Sequence, residues 1–527
     1  MSNYIFTKAI VAPDQGVDFS VKSHLLKENQ WAGLEGLRCR QGIMSDFPGW
    51  RSIFSSKPGY TFTSLLTEFR HRDASRVLVI GNQNKLYKYD VSTHLPVEIG
   101  AGPYAPDRFR TWKGVVYNDK LYITNKQDGV QKYDGLVNFA PVANSPKGWS
   151  INLLNNHLCV FGDGTNPWTF RWAAEGTDNF VATATNDAGQ FDVIDNDDVA
   201  QNLLPLDLDL IGYKDRSIHA FTYIGGNAVM GHRRMVSDVG LLAPDGIAAF
   251  TDHHIFFGDP PGVYLYTGGN SVDPSIGRPI EDKVFGEIPY SKKHLVKALV
   301  NDDEKEIIFF YPNSVSVAAA NRMVIFNMRD KVWYGPFNVT GCEVDATVNF
   351  SIDFANVIDS FTAPFIIDTV NSVIDSFGVG TSVGGDPLFG TSIGDVMGLG
   401  ASPTADGAAI TRTGWTGENF LGIGSSDGMG AAAGLPLGSV FQVNQVNLEV
   451  LNTSPATLNY YIGYKMTLAD DMRWKGPYNF QAIPGRRINI PLRAGPGRWF
   501  ASKFESQNSA IISLAGIQYF FSFLGER

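Results

Sequence analysis

The sequence predicts an all-β protein: a β-propeller, then a glycine-rich acidic insertion, then a β-sandwich. Three observations carry this. The 527 residues are 44% hydrophobic and 12% aromatic but only 18% charged, with 55 glycines and 27 prolines. Many short strands and tight turns give that profile; helix bundles do not. Short apolar runs recur, each followed by a polar turn and an aromatic-rich partner run, at spacings of roughly 40–50 residues, the period of propeller blades. The chain also exceeds the length one core usually supports, so more than one domain is expected.

Residues 1–60 read as an extended N-terminal segment contributing to propeller closure, with a turn between aromatics at "FPGW" (Phe47–Trp50). Residues 61–345 read as the propeller. Its strand cores are Val77–Ile80, Leu121–Thr124, Leu158–Phe161, Ile255–Phe257 and Ile307–Tyr311. Their partner strands are "KLYKYD" (85–90), "GVQKYDG" (129–135), "PWTFRW" (167–172), "GVYLYTG" (262–268) and "RMVIFNM" (322–328), with one more pair in 207–226. This counts about six blades. A blade cannot bury both faces alone, and stacking around an axis buries them. In "GNQNKLYKYDVST" (81–93), Tyr87 and Tyr89 fall on one strand face and Leu86 and Lys88 on the other, which predicts packing between blades rather than a ligand site.

Residues 346–438 break the rhythm. "VIDSF" occurs at 357–361 and 373–377, "TSVGGD" (381–386) is echoed by "TSIGD" (391–395), and glycine takes 17 of the 61 positions from 378 to 438. This biased composition reads as a low-complexity insertion. Residues 439–527 return to regular alternation and read as a separate C-terminal β-sandwich.

Charge is unevenly placed. The net charge is −10, and Thr340–Ser439 alone holds eleven acids against one base, Arg412. A nucleic acid facing that segment is repelled rather than gripped. Cys39, Cys159 and Cys342 are far apart and form no CxxC or Cys/His cluster, so neither a disulfide framework nor a zinc site is expected. The start lacks a signal peptide's apolar core and no apolar run is long enough to span a bilayer, so cytosolic synthesis and no membrane insertion are expected.

The remaining motifs have plain structural readings. "GSSDG" (424–428) matches G-x-S-x-G with Ser426 as nucleophile, but it sits in Gly/Ala-rich sequence and every histidine precedes it. In "DHH", His253 and His254 on a strand point to opposite faces and cannot share an ion. "LDLDL" (206–210) reads as a half-buried strand with Asp207 and Asp209 on its solvated face. "DNDD" (195–198) lacks the glycine and distal Glu of a calcium loop. "VGTSVGG" (379–385) has no Walker lysine. Arg486, Arg487, Arg493, Arg498 and Lys503 alternate with aromatics and read as a solvated or subunit-facing surface, with a nucleic-acid patch as the other reading. No nucleophile, base and orienter come together, so no catalytic residue, cofactor or metal is expected.

The hairpin endings "KLYKYD", "VQKYDG" and "VYLYTG", the segment "NRMVIFNMRDKVWYGPF" (321–337) and the closing "GRWFASKFESQNSAIISLAGIQYFFSFLGER" (497–527) resemble the tail hub or nozzle proteins of short-tailed bacteriophages. The likeness covers about 45–345 and 440–527. It implies a virion structural protein without catalysis. Such proteins form a homo-oligomeric ring, usually a hexamer, below the portal and adaptor. Packaged DNA is retained in the channel and leaves through it without sequence-specific binding, and tail fibres, spikes or a needle attach to the ring. The acidic segment matches no pattern of that family. Its charge suits a conduit that does not hold its cargo, with Asp359, Asp368, Asp375, Asp386, Asp395, Asp406 and Asp427 as the channel-lining residues. The alternative readings are a propeller enzyme acting on host surface glycans, which needs a pair of carboxylates in a pocket, and a glycan- or protein-binding propeller acting as a monomer.

Overall fold

The computed structural model describes residues 5–350, 386–421 and 439–526, apart from 28, 41, 101, 110, 165, 195–197, 401, 403, 452–455, 484–485 and 507–512. Among these residues the one α-helix is Glu281–Glu287, and almost everything else ordered is strand. The protein is an all-β protein built on a β-propeller, and seven small antiparallel sheets form the blades. Blades 1 to 4 occupy 65–100, 113–141, 148–192 and 200–236, and blade 6 occupies 297–338; each is a four-stranded meander in chain order.

Blade 5 (240–266) differs. Its inner edge is split into Gly240–Leu241 and Ile247–Ala249, both pairing with His254–Asp259. Blade 7 takes Val344–Phe350, Asp386–Thr391 and Val396–Leu399, and its outer strand is Trp50–Ser52, three hundred residues earlier in the chain. The inner strands of the seven blades pack beside one another in order, and that of blade 7 packs beside that of blade 1, so the ring is closed. The sequence count of about six blades is corrected to seven. The extra blade went unseen because its strands are separated by 351–385 and borrowed from the N-terminal segment.

Burial follows from stacking. In blade 6 every residue of Glu306–Tyr311 is buried on both faces, because each blade lies between two others. Burying a Val, Leu, Ile or Phe side chain contributes about 1.5–3 kcal/mol, an upper estimate when summed. Tyr87 and Tyr89 pack with Ile53, Phe54, Phe350, Leu388 and Val396 of the blade 7 side, whereas Leu86 packs with Trp112, Leu121 and Ile123 of blade 2. The tyrosine face joins blade 1 to blade 7, as the alternation in "KLYKYD" predicts.

The sandwich is not confined to 439–527. One sheet runs Leu37–Arg40, Ile43–Asp46, Ser513–Glu526, Ser439–Val450, Ile488–Gly497, with Ile5–Val11 also on Ser513–Glu526. The other runs Trp31–Glu35, Arg412–Thr416, Trp499–Ser506, Ala456–Lys465, Arg473–Ala482, with Asn419–Phe420 also on Trp499–Ser506. Residues 5–46 therefore belong mainly to the sandwich, and the propeller is inserted between its strands. The described parts of 346–438 are likewise shared out, 386–399 to blade 7 and 412–420 to the sandwich.

One apolar core spans the sandwich and blades 5 to 7. Phe47 meets Phe337 with ring centroids 5.6 Å apart, and the Val17 N–H donates to the Trp333 carbonyl at 3.0 Å. Gly16 (φ +66°) makes that approach possible, since a Cβ there would lie 2.3 Å from the Trp333 oxygen.

Candidate functional site

Every inner strand enters its blade from the same face, so the preceding loops gather around the axis at that mouth. Lys113 heads the inner strand of blade 2 and Lys297 that of blade 6. Asp245 lies in the break of the blade 5 inner edge. Its carboxylate accepts from Lys297 Nζ at 2.6 Å and Thr111 Oγ1 at 3.4 Å, and it pairs with Lys113. Lys113 Nζ also reaches the Pro244 carbonyl at 3.4 Å, and Asn202 Nδ2 of blade 4 donates to the same oxygen at 2.7 Å. Beside them Arg108 donates twice to Asp345 of blade 7, at 2.8 and 2.9 Å.

These groups are withdrawn from water: side-chain exposure is 4% for Lys297, 2% for Asp345 and 13% for Lys113. Burial draws the Lys297 ammonium down to about 8, with Asp345 opposing and Arg108 adding to the shift. Burial also raises the Asp345 carboxyl, against the pull of Arg108. His294 stacks on Phe109 at 3.7 Å and is held down to about 4, chiefly by burial and then by Lys297.

Both carboxylates are answered by bases, and neither is left to act as a general acid. The cluster ties blades 2, 4, 5, 6 and 7 together across the axis. Blades 2 and 5 stand on opposite sides of a seven-membered ring, so their link closes the propeller axis at this face. No motif announced this site, because its residues come from separate blades. The legible signal is a lysine opening an otherwise apolar inner strand, "KGVVY" and "KALVN".

A second buried polar network lies in blade 4. Lys214 Nζ donates to Asp198 Oδ1 at 2.8 Å and to the Val193 carbonyl at 2.6 Å. Ser217 Oγ donates to Asp198 Oδ2 and lies 2.8 Å from His219 Nε2. Ser, His and Asp meet here, but Asp198, Lys214, Ser217 and His219 are at most 2% exposed. A substrate cannot reach Ser217, and the network satisfies a buried charge. Asp198, the last residue of "DNDD", has its carboxylate consumed internally by Lys214 and Ser217, in keeping with its lack of a calcium loop's pattern; 195–197 lie outside the described residues.

Of the seven predicted channel residues, Asp359, Asp368, Asp375 and Asp427 lie outside the described residues. Asp386 opens a blade 7 strand, paired with Phe350. Asp395 is 1% exposed and accepts from Ser52 Oγ at 2.6 Å, which removes it from any channel lining. Asp406 accepts from Lys57 at 2.7 Å in a pair that stays at the surface. The acidic segment's other described carboxylates are also engaged: Glu343 accepts the N–H groups of 317–319, and Glu418 pairs with Lys465 at 2.9 Å. Arg412 is buried against Asp46.

His254 donates through Nε2 to the Pro205 carbonyl at 3.0 Å and accepts the Tyr213 hydroxyl at Nδ1, 2.7 Å away, while His253 contacts Asp252. The strand begins only at His254, with His253 in the loop before it, so the two imidazoles are separated by their different partners rather than by strand alternation. "LDLDL" is not one strand: Leu206 pairs with Asp209 across a two-residue turn in which Asp207 has φ +54° and Leu208 is 85% exposed. The basic residues divide between sheets, Arg487 and Arg493 near or on the Ile488–Gly497 edge and Lys503 on the opposite sheet, where it pairs with Glu505. Ser426 and 379–385 lie outside the described residues. Among the described residues no helix is long and apolar enough to cross a membrane.

No family model matches the chain, and no curated protein is similar to it. Among solved structures it is similar to the extracellular domain of a hybrid two-component system from B. thetaiotaomicron, at 11% identity and a TM-score of 0.37, over 81% of this chain and 47% of that one. The chain thus spans about half the length of that relative. It is similar also to YCF48 from Cyanidioschyzon merolae, at 11% identity and a TM-score of 0.36, over 67% of this chain and 98% of that one.

Proposed function

We propose that this chain is a non-catalytic structural protein of a short-tailed phage virion, a subunit of the ring-shaped tail hub or nozzle that extends the portal–adaptor channel, retains packaged DNA and conducts it on ejection. The observation that supports it most is how the buried charge is used. Cross-axis pairs at the mouth, Lys214–Asp198 in blade 4 and Arg412–Asp46 in the sandwich all brace the fold, a use of buried charge that suits a structural protein.

This reading places the DNA conduit between copies of the chain, because the propeller axis is closed at its mouth. Copies would meet through sheet edges. Arg473–Ala482 pairs on one side only and is exposed along most of its length, and a free edge is a template for a neighbouring chain. With Asp395 buried, the channel-lining proposal rests on Asp359, Asp368, Asp375, Asp386, Asp406 and Asp427.

Imaging the particle that contains this chain tests the proposal. The expected result is a ring of copies, six in number, coaxial with the tail and touching the adaptor. A single copy on a side appendage, together with cleavage of host glycan by the purified chain, would overturn it in favour of the enzyme reading.

A further inference from the structure

We propose that His157, Glu175 and Asp187 form a binding site for a divalent transition metal of the zinc class, on the face of blade 3 opposite the mouth. One ligand atom from each lies within 4.8 Å of the others. His157 opens the strand His157–Asp163, and Glu175 and Asp187 flank the 173–188 connection between Asn166–Trp172 and Gly189–Asp192.

The independent pointer is the histidine. His157 is fully buried, and its Nδ1–H donates to the Ala173 carbonyl at 2.9 Å. That bond fixes the tautomer and leaves the Nε2 lone pair facing the two carboxylates, the usual orienting arrangement behind a metal-bound imidazole. Nε2 has no hydrogen-bond partner. It stands 3.7 Å from Asp187 Oδ2, too long for a hydrogen bond. Two ligands about 2.0–2.1 Å from a tetrahedral zinc stand roughly 3.4 Å apart, close to the spacing seen.

The carboxylates are positioned rather than loose. The Glu175 N–H donates to Asp187 Oδ1 at 3.0 Å, Asn156 Nδ2 reaches Glu175 Oε1 at 3.5 Å, and Trp172 Nε1 donates to the Asp187 carbonyl at 2.6 Å. Neither carboxylate is paired with a Lys or Arg among the described residues. Two acids this close repel each other until a cation sits between them. One imidazole and two carboxylates select zinc-like ions over magnesium or calcium, which prefer all-oxygen sites. Bound there, the ion pins the 173–188 connection to the strand and leaves one coordination position for water.

The test is a titration of the tag-free, chelator-treated full chain with Co²⁺, followed by its visible absorption, then displacement with Zn²⁺. One site per chain is expected, with zinc displacing cobalt and millimolar Mg²⁺ leaving it in place. Glu175→Gln and Asp187→Asn are exposed or half-exposed changes that keep the fold. Each is expected to weaken binding at least about ten-fold, the scale of losing a metal-site contact, with the metal-free melting temperature unchanged. Native binding no tighter than that of the double variant overturns the proposal, and so does the absence of any cobalt spectrum. In that case His157 is a buried histidine held through Ala173, with a structural role alone.

Discussion

At the scale of single residues, buried side chains set the acid sensitivity of the fold. His254 is neutral in its strand: one nitrogen donates to Pro205 and the other accepts from Tyr213. Protonation would turn both nitrogens into donors in a place that has desolvated them, and burial holds its pKa down to about 4 from 6.5. A depressed histidine is protonated first in the unfolded chain. Its stabilisation is complete above pH 6.5 and is lost as pH falls toward 4, by roughly 3 kcal/mol in all. His294 acts in the same direction, discounted for its partial exposure. Denaturant unfolding of native protein and His254→Gln at pH 7 and pH 5 checks this. The native chain should lose about 2 kcal/mol more than the variant over that interval, and equal losses would show that His254 does not carry the effect.

At the scale of elements, the repeat is legible where one local device recurs. Asn82 Oδ1 accepts the N–H groups of Asn84 and Lys85 at 3.0 and 2.8 Å, and Asn125 Oδ1 those of Gln127 and Asp128 at 3.1 and 2.7 Å. Both residues are buried and sit between the second and third strands of their blades, so "GNQNK" and "TNKQD" are the same asparagine turn. Removing the acceptor leaves two donors unsatisfied, so Asn82→Ala and Asn125→Ala should each cost about 1–3 kcal/mol in denaturant unfolding. Their aspartates should differ. Asn125 Nδ2 donates to Asp128 at 2.7 Å whereas Asn82 Nδ2 reaches only the Tyr87 hydroxyl at 3.3 Å. Asn125→Asp should therefore be as damaging as the alanine, and Asn82→Asp milder than its own. "LDLDL" was misread for a related reason. Apolar alternation continues across a two-residue turn, with Leu206 and Leu210 buried on either side, and nothing in the letters marks the positive φ of Asp207.

At the scale of the molecule, the legible parts are those built from neighbours in sequence. Blade 7 and the sandwich are not: Trp50–Ser52 closes the ring on Val396–Leu399, and Ile5–Val11 pairs with Ser513–Glu526. The mouth was hidden likewise, since Lys113, Asp245, Lys297 and Asp345 meet only once the ring is closed. This topology ties the two ends of the chain into one cooperative unit, unlike an open repeat array, where an end can be removed locally. Ser513–Glu526 is the strand that joins Ile5–Val11 and Ile43–Asp46 to Ser439–Val450. Its Ile517, Tyr519 and Phe521 are at most 1% exposed in the core shared with blades 5 to 7. Ending the chain at Ser506 is therefore expected to unravel more than an edge. Ile5–Val11 loses its partner and the 37–46 hairpin loses its link to the rest of its sheet, Trp333 and Phe337 lose the cover of 16–47, and the outer strand of blade 7 is held only by its own short pairing. Limited proteolysis reads the outcome: the truncated chain should be cut throughout 240–420 under conditions that leave the full chain whole. A resistant fragment running from blade 1 through Leu399 would show instead that the propeller closes without the sandwich.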